Sequence, residues 1–260
     1  MASRVALSAT AALAMAVAAC GSGNGADLEG VDRLVPEILE TRPHDESAFT
    51  QGLEFSDGRL YESTGKYGRS EVRIVDPETG EVLASEALPD DEFGEGLTVS
   101  GDSLWQLTWQ SGTVYQRDPE TLEVRDTWEN DREGWGICAA GDELFLSDGS
   151  DVIQVRDAED FTVQREFEVT ADGEGVDMIN ELECAEGRIW ANLWQSADII
   201  AIDPSDGTVE SAVDASSLEG DHSDRSERTL NGIAAAGDGT YLLTGKEWPM
   251  AQLVRFTPAP

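Results

Sequence analysis

The stretch Phe49-Thr50-Gln51-Gly52-Leu53-Glu54-Phe55, FTQGLEF, decides the fold, because the chain returns to it four more times. The later versions are FGEGLTV (Phe93 to Val99), GWGIC (Gly134 to Cys138), INELEC (Ile179 to Cys184) and LNGIA (Leu230 to Ala234). Each keeps a small or acidic residue followed by Leu or Ile. The residue before that pair varies, with four types in five copies: Gln51, Glu95, Trp135, Asn180, Asn231. The spacings are 44, 40, 45 and 51 residues, and the longest contains an acidic insertion, SLEGDHSDRSERT, that reads as a surface loop. Self-similarity at this period is the mark of a repeat architecture.

The grammar around each copy also repeats. A tight turn follows (SDGR, SGDS, AGDE, AEGR, AGDG), then a β-rich stretch (LYESTG, LWQLTW, LFLSDG, IWANLW, YLLTG). A third short strand comes next, as in EVRIVD or DIIAID, and in the first four units a turn such as DPETG leads to a fourth. Asp-Pro and Gly punctuation between short alternating runs is turn chemistry. Four strands per period predict a β-propeller blade, so the expected fold is all-β and five-bladed. A β-sandwich or open repeat array is the competing architecture. The fifth unit ends after three strands, at AQLVRFTPAP; the strand VPEILETR, Val35 to Arg42, is expected to close that blade and leave no open edge.

The start of the chain has a different character. Arg4 precedes an apolar run, Val5 to Ala19, that ends in VAAC. This pattern predicts a signal peptide over residues 1–19 and, by its likeness to a bacterial lipobox, lipidation of Cys20. An ordinary signal peptide with a chance Cys is the alternative. Residues 20–34, the lipidated Cys followed by GSGNGAD, then read as a flexible tether, and residues 35–260 as the propeller domain. The protein is expected to be exported, held at the cell envelope through Cys20, touching the membrane only by that anchor and acting as a monomer.

Seventeen Lys+Arg against 53 Asp+Glu give a formal net charge of -36, which repels phosphate backbones and excludes nucleic acid as a partner. The acids are scattered, as on a solvated surface. With two His, His44 and His222, and no Cys/His ligand spacing, the chain offers a zinc enzyme little to work with. Cys138 and Cys184 sit three and four residues after their motif residues, at nearly equivalent places on neighbouring inner strands. A disulfide between them is expected in an oxidising compartment; two separate buried thiols are the alternative.

In a propeller the first strand of each blade lines the central channel, so the five variable residues form a ring. A purely structural ring would tolerate one small residue five times; this one is varied and mostly polar. The second strands return to the same rim and end at Gly65-Lys66, Trp109-Gln110, Gly149-Ser150, Trp194-Gln195 and Gly245-Lys246. An aromatic-walled cup with one carboxyl and several amides is the makeup of a small-molecule site.

These residues resemble the plant- and bacterial-type glutamine cyclotransferases, a family of five-bladed propellers. PHDESAFTQGLEF, FGEGLT, LTWQSG, GWGI, NELE, ANLWQS, LNGIA and LTGKEWP stand in the family's order over roughly residues 35–258. The resemblance implies conversion of N-terminal Gln, on a peptide or free, to 5-oxoproline with loss of ammonia, without cofactor or catalytic metal. It assigns acid-base chemistry to Glu95, with Lys246 as its catalytic partner. Phe49, Gln51, Trp109, Trp135, Asn180, Trp194 and Asn231 are the implied substrate-binding residues. Cys138 and Cys184 belong to no catalytic position in the pattern.

The chemistry is consistent with the residue types. Attack of the substrate's own amine on its γ-amide needs no protein nucleophile, only a carboxyl that can move a proton and donors that hold the carbonyl oxygen. Two other classes remain open: a metal-dependent lactonase-like propeller using Glu95, Asn180 and Asn231 as oxygen ligands, and a non-catalytic binding propeller at the cell surface.

Overall fold

The computed structural model describes residue 28, residues 30–218 and residues 228–260. The expected leader, Cys20 and most of the acidic insertion, with His222, lie outside the described residues. Apart from one short 3-10 turn, the regular structure is all strand.

Strand β1 spans Asp32–Pro43. Three antiparallel four-stranded sheets follow. The first contains β2 (Thr50–Ser56), β3 (Arg59–Thr64), β4 (Glu71–Val75) and β5 (Val82–Ala87). The second contains β6 (Gly94–Ser100), β7 (Ser103–Thr108), β8 (Thr113–Arg117) and β9 (Val124–Glu129). The third contains β10 (Ile137–Ala140), β11 (Glu143–Leu146), β12 (Val152–Asp157) and β13 (Val163–Glu168). A two-stranded excursion, β14 (Thr170–Ala171) and β15 (Glu174–Gly175), leads to the fourth, with β16 (Ile179–Ala185), β17 (Arg188–Leu193), β18 (Asp198–Ile202) and β19 (Val209–Asp214). The fifth holds β20 (Leu230–Gly237), β21 (Thr240–Gly245) and β22 (Met250–Pro258), completed by β1.

Strand β1 lies antiparallel on β22 from Leu34↔Pro258 to Pro43↔Met250. Its first residues also pair in parallel with β19, Asp32↔Ser211 to Leu34↔Val213, which fuses the last two blades edge to edge. The closing strand therefore begins at Asp32, three residues inside the segment read as tether. Those residues are held by ladder hydrogen bonds, which composition alone does not reveal.

The core is divided among the seams between blades. Leu53 and Ala234 belong to the cluster between blades five and one, Leu97 and Ile74 to that between one and two. Trp105 and Ile137 join two to three, Cys138 and Leu182 join three to four, and Ile199 and Ile233 join four to five. The Leu or Ile that ends each repeated motif is thus a seam residue, and the five seams close a circle. Among the described residues, Cys138 and Cys184 are disulfide-bonded across the third seam, with Cα atoms 5.3 Å apart. The Gly of the motif is required by close approach: a Cβ on Gly136 would collide with the Asn180 carbonyl oxygen.

Candidate active site

Four of the five inner strands lose register at the motif. The shift falls between Thr50 and Gly52 in β2, Gly94 and Leu97 in β6, Ile179 and Leu182 in β16, and Leu230 and Ile233 in β20. Gln51, Glu95, Asn180 and Asn231 therefore each sit in a β-bulge, the device that re-aims a side chain and frees a backbone group from its ladder. The freed N–H groups reach neighbouring blades. Gly96 donates to the Trp135 carbonyl (2.8 Å), and Gly232 to Asn192 Oδ1 (3.0 Å). One irregularity thus serves both to aim the variable residue and to tie adjacent blades.

Above the bulges lies a cavity of about 430 Å³ lined by Phe49, Gln51, Lys66, Phe93, Glu95, Trp109, Trp135, Asn180, Trp194, Gln195 and Lys246. Its walls are rings packed edge to face. Phe49 meets Phe93 with centroids 6.1 Å apart, Phe93 meets Trp109 at 5.9 Å, and Trp135 meets Trp194 at 5.5 Å. Such contacts fix ring orientation beyond what burial alone does. Gly149 at the end of the third second-strand run is needed here, because a Cβ would stand 2.7 Å from the Trp135 ring. The two ammonium groups lie over one ring: Lys66 Nζ is 3.8 Å and Lys246 Nζ 5.1 Å from the Phe49 centroid. Lys66 (φ 102°) and Gln195 (φ 62°) take left-handed backbone at the rim, a strain common at ligand clamps.

Among the described residues, Glu95 is the only carboxylate that lines the cup, and it is 5% exposed. Burial raises its pKa well above the ordinary carboxylate value, with a further push from the charge of Glu133. The positive charge of Lys246 and a hydrogen bond with Gln51 pull the other way without cancelling the rise. A carboxyl so placed holds a proton more firmly than usual and can still give it up, the property required of an acid-base group.

Of the residues singled out by repeat position, Phe49, Gln51, Glu95, Trp109, Trp135, Asn180, Trp194 and Lys246 converge on this cavity. Asn231, expected to bind substrate, does not line it. Its amide Nδ2 donates to the Thr50 carbonyl (3.0 Å) and to Gln51 Oε1 (3.2 Å), so the residue stands behind Gln51 and steadies it. Phe93, Lys66 and Gln195 line the cup without having been assigned roles. Phe93 lies in the FGEGL motif and the other two end second strands, so reading the neighbours of each repeat position would have found them. Among the described residues, no group of three or more His, Cys, Asp or Glu is arranged to hold a metal ion.

A β-propeller whose channel opens into an aromatic-walled cavity holding a buried carboxyl of raised proton affinity defines the class: a propeller built around a small-molecule pocket at one mouth of the channel. The glutamine cyclotransferase family model matches residues 10–256, and the chain belongs to that family. It is 36% identical over 248 residues to the Arabidopsis thaliana glutaminyl-peptide cyclotransferase, covering 92% of this chain and 77% of that protein. The crystal structure of the Myxococcus xanthus glutaminyl cyclase superposes with a TM-score of 0.83 at 36% identity, covering 88% of this chain and 100% of that one. The WD40 propeller domain of Doa1 shares only the fold, at 9% identity and a TM-score of 0.50, over 79% of this chain and 62% of that one.

Proposed function

We propose that the chain is a glutaminyl-peptide cyclotransferase, converting an N-terminal Gln to 5-oxoproline with release of ammonia. The observation that carries the reading is Glu95, a buried carboxyl of raised proton affinity opening into an aromatic cup beside Gln51 and Lys246. The substrate's α-amine attacks its own γ-amide carbon. The lactam C–N bond forms as the amine's proton passes to the Glu95 carboxylate, and the bond to the side-chain nitrogen breaks as Glu95 returns that proton to it. Ammonia leaves, and Glu95 ends as it began. The Gln51 and Asn180 amides and the Lys246 ammonium are the donors for the carbonyl oxygen as charge develops. The rings enclose a flexible Gln side chain and favour its folded, near-attack shape.

Lys246 also argues against a lactonase-like reading, since its charge acts directly on Glu95, which would have to be a ligand. Incubation with a Gln-initiated peptide, with and without chelator, tests the proposal. Ammonia release that survives chelation is expected; no release by the wild-type chain overturns it. We further propose that the chain is exported as a monomeric lipoprotein anchored through Cys20, supported by the VAAC stretch after an apolar run. Membrane fractionation of the host should find Cys20→Ala in the soluble fraction and the native form in the membrane.

A further inference from the structure

Behind the wall of the cup, outside the cavity, lies a carboxylate that the proposed reaction does not use. Glu133 Oε2 accepts the indole N–H of Trp109 (2.7 Å) and that of Trp135 (3.1 Å), while its Oε1 accepts from Gln110 Nε2 (2.9 Å). Trp109 follows β7 of the second blade and Trp135 precedes β10 of the third, so one oxygen holds two wall indoles across a seam. The backbone reinforces this, since the Gly134 N–H donates to the Trp109 carbonyl (3.1 Å).

We propose that Glu133 is a positioning residue whose carboxylate clamps the indoles of Trp109 and Trp135 and sets a negative charge behind the cup. All three donors are neutral N–H groups, and neighbouring Arg132 turns to Asp148 (3.5 Å) and Glu166 (2.7 Å) instead. Although burial works to raise the pKa of Glu133, its N–H donors hold it below the ordinary carboxylate value, so it stays an anion at neutral pH.

That anion does two things an amide in its place would not do together. It polarises both indoles, making their faces more negative toward the positive charge that develops on the attacking amine. It also opposes Lys246, the positive charge facing Glu95, and so supports the proton affinity of Glu95. Among the described residues, Lys66, 3.8 Å from the Phe49 ring centroid, is the remaining charged group lining the cup.

The kinetic consequences rest on the cyclotransferase reading; the clamp itself does not. In Glu133→Ala, tryptophan emission should shift to the red and acrylamide quenching should rise. KM for a Gln-peptide should increase about tenfold or more, with kcat held within about threefold. In Glu133→Gln the amide oxygen can take both indole protons once Gln110 flips, so emission and KM should return to within about threefold of wild type. The acid limb of its kcat/KM profile should nevertheless move to lower pH, because Glu95 loses an anionic neighbour. Wild-type emission, quenching and KM in Glu133→Ala overturn the clamp, as does a KM in Glu133→Gln as high as in Glu133→Ala. An unmoved acid limb in Glu133→Gln overturns the charge role. If the wild-type chain releases no ammonia, the enzymatic reading fails, and the fluorescence of the two variants alone decides the clamp.

Discussion

The two levels of the central channel hold the same kind of group and use it differently. At the upper mouth Glu95 is a buried carboxyl with strongly raised proton affinity. One residue further along the motif, in the fourth blade, Glu181 is another, where the other four blades have Gly. Glu183 is raised in the same way by burial, and Glu54 is pushed up to about 8 by burial, against the pull of its hydrogen bond from Thr98. Perturbed acidity therefore does not single out the carboxyl proposed to be catalytic in this molecule. Surroundings do. Glu95 opens into a cavity, whereas the Glu181 oxygens accept the backbone N–H groups of Leu53 (3.3 Å) and Ile233 (3.1 Å) and fasten three blades together. A carboxyl next to space can do chemistry; one spent on backbone donors is a rivet.

The sharpest way to break this contrast is Glu95→Gln, which keeps shape and hydrogen bonding but cannot exchange a proton at neutral pH. Loss of acid-base catalysis is expected to lower kcat about 10²–10⁴-fold, or roughly 3–5 kcal/mol of barrier. Circular dichroism and melting should stay native, since an amide is easier to desolvate than a carboxylate. A variant that keeps more than about a tenth of wild-type kcat removes Glu95 from the mechanism. Trp109→Ala, by contrast, should act mainly on KM, because it opens a wall without touching the proton path.

The lower level should respond in stability and not in turnover. The Cys138–Cys184 bridge spans 46 residues and, in the chain-entropy estimate, contributes roughly 3–4 kcal/mol. Reduction, or the double Ala variant, should lower the melting temperature by many degrees while kcat measured well below the melt is retained. Next comes Glu181→Gln, which sets an amide N–H₂ against one of two backbone donors and leaves a buried group unsatisfied, at about 1–3 kcal/mol. Urea unfolding measures that loss. A drop in kcat as large as that of Glu95→Gln, at unchanged stability, would erase the distinction between the two levels.

How much of this was legible follows from the same contrast. The repeat period placed the inner strands, the seam Leu and Ile residues and the ring of variable residues, because position in a blade is fixed by strand count. It could not tell which way a ring residue turns. Asn231 occupies a bulge equivalent to those of Gln51 and Glu95, yet its amide N–H₂ is turned to Thr50 and Gln51. Glu181 stands where the other copies of the motif have Gly, and its carboxyl bonds span residues 128 and 52 positions away, which no local pattern encodes. Glu133 stands two residues before Trp135 with nothing in its neighbourhood to say that Trp109 would arrive at the same oxygen. The bulges were invisible for a related reason: each falls in a stretch buried on both faces, with no hydrophobic alternation for a one-residue register slip to invert.

The smallest effect is expected where charge is most completely fastened, at the seam between blades five and one. His44 Nδ1–H donates to the Trp248 carbonyl (2.7 Å), and Nε2–H donates to Glu62 Oε1 (3.0 Å). Both ring nitrogens face acceptors, so the ring is held as imidazolium. Around it stand Arg73, whose Nη1 is 3.7 Å from Glu62 and 2.9 Å from Asp45, and Thr50, which donates to Glu62 Oε1 (2.7 Å). Burial alone would lower the pKa of His44, but Glu62 raises it on balance above 6.5. Burial would raise that of Glu62, but His44 and Arg73 bring it below 4.5. The signs then fix a window. The His44 contribution is complete below 6.5 and fades as pH climbs through the raised folded value, while that of Glu62 is complete above 4.5 and fades on acidification. The clasp is therefore strongest between those two values. His44→Gln should cost about 1–2 kcal/mol at pH 5.5 and progressively less toward pH 9. Paired melts of the two proteins across that range measure the difference. Parallel stability curves would mean that His44 packs there as a neutral ring, and that the charge at this seam fastens nothing.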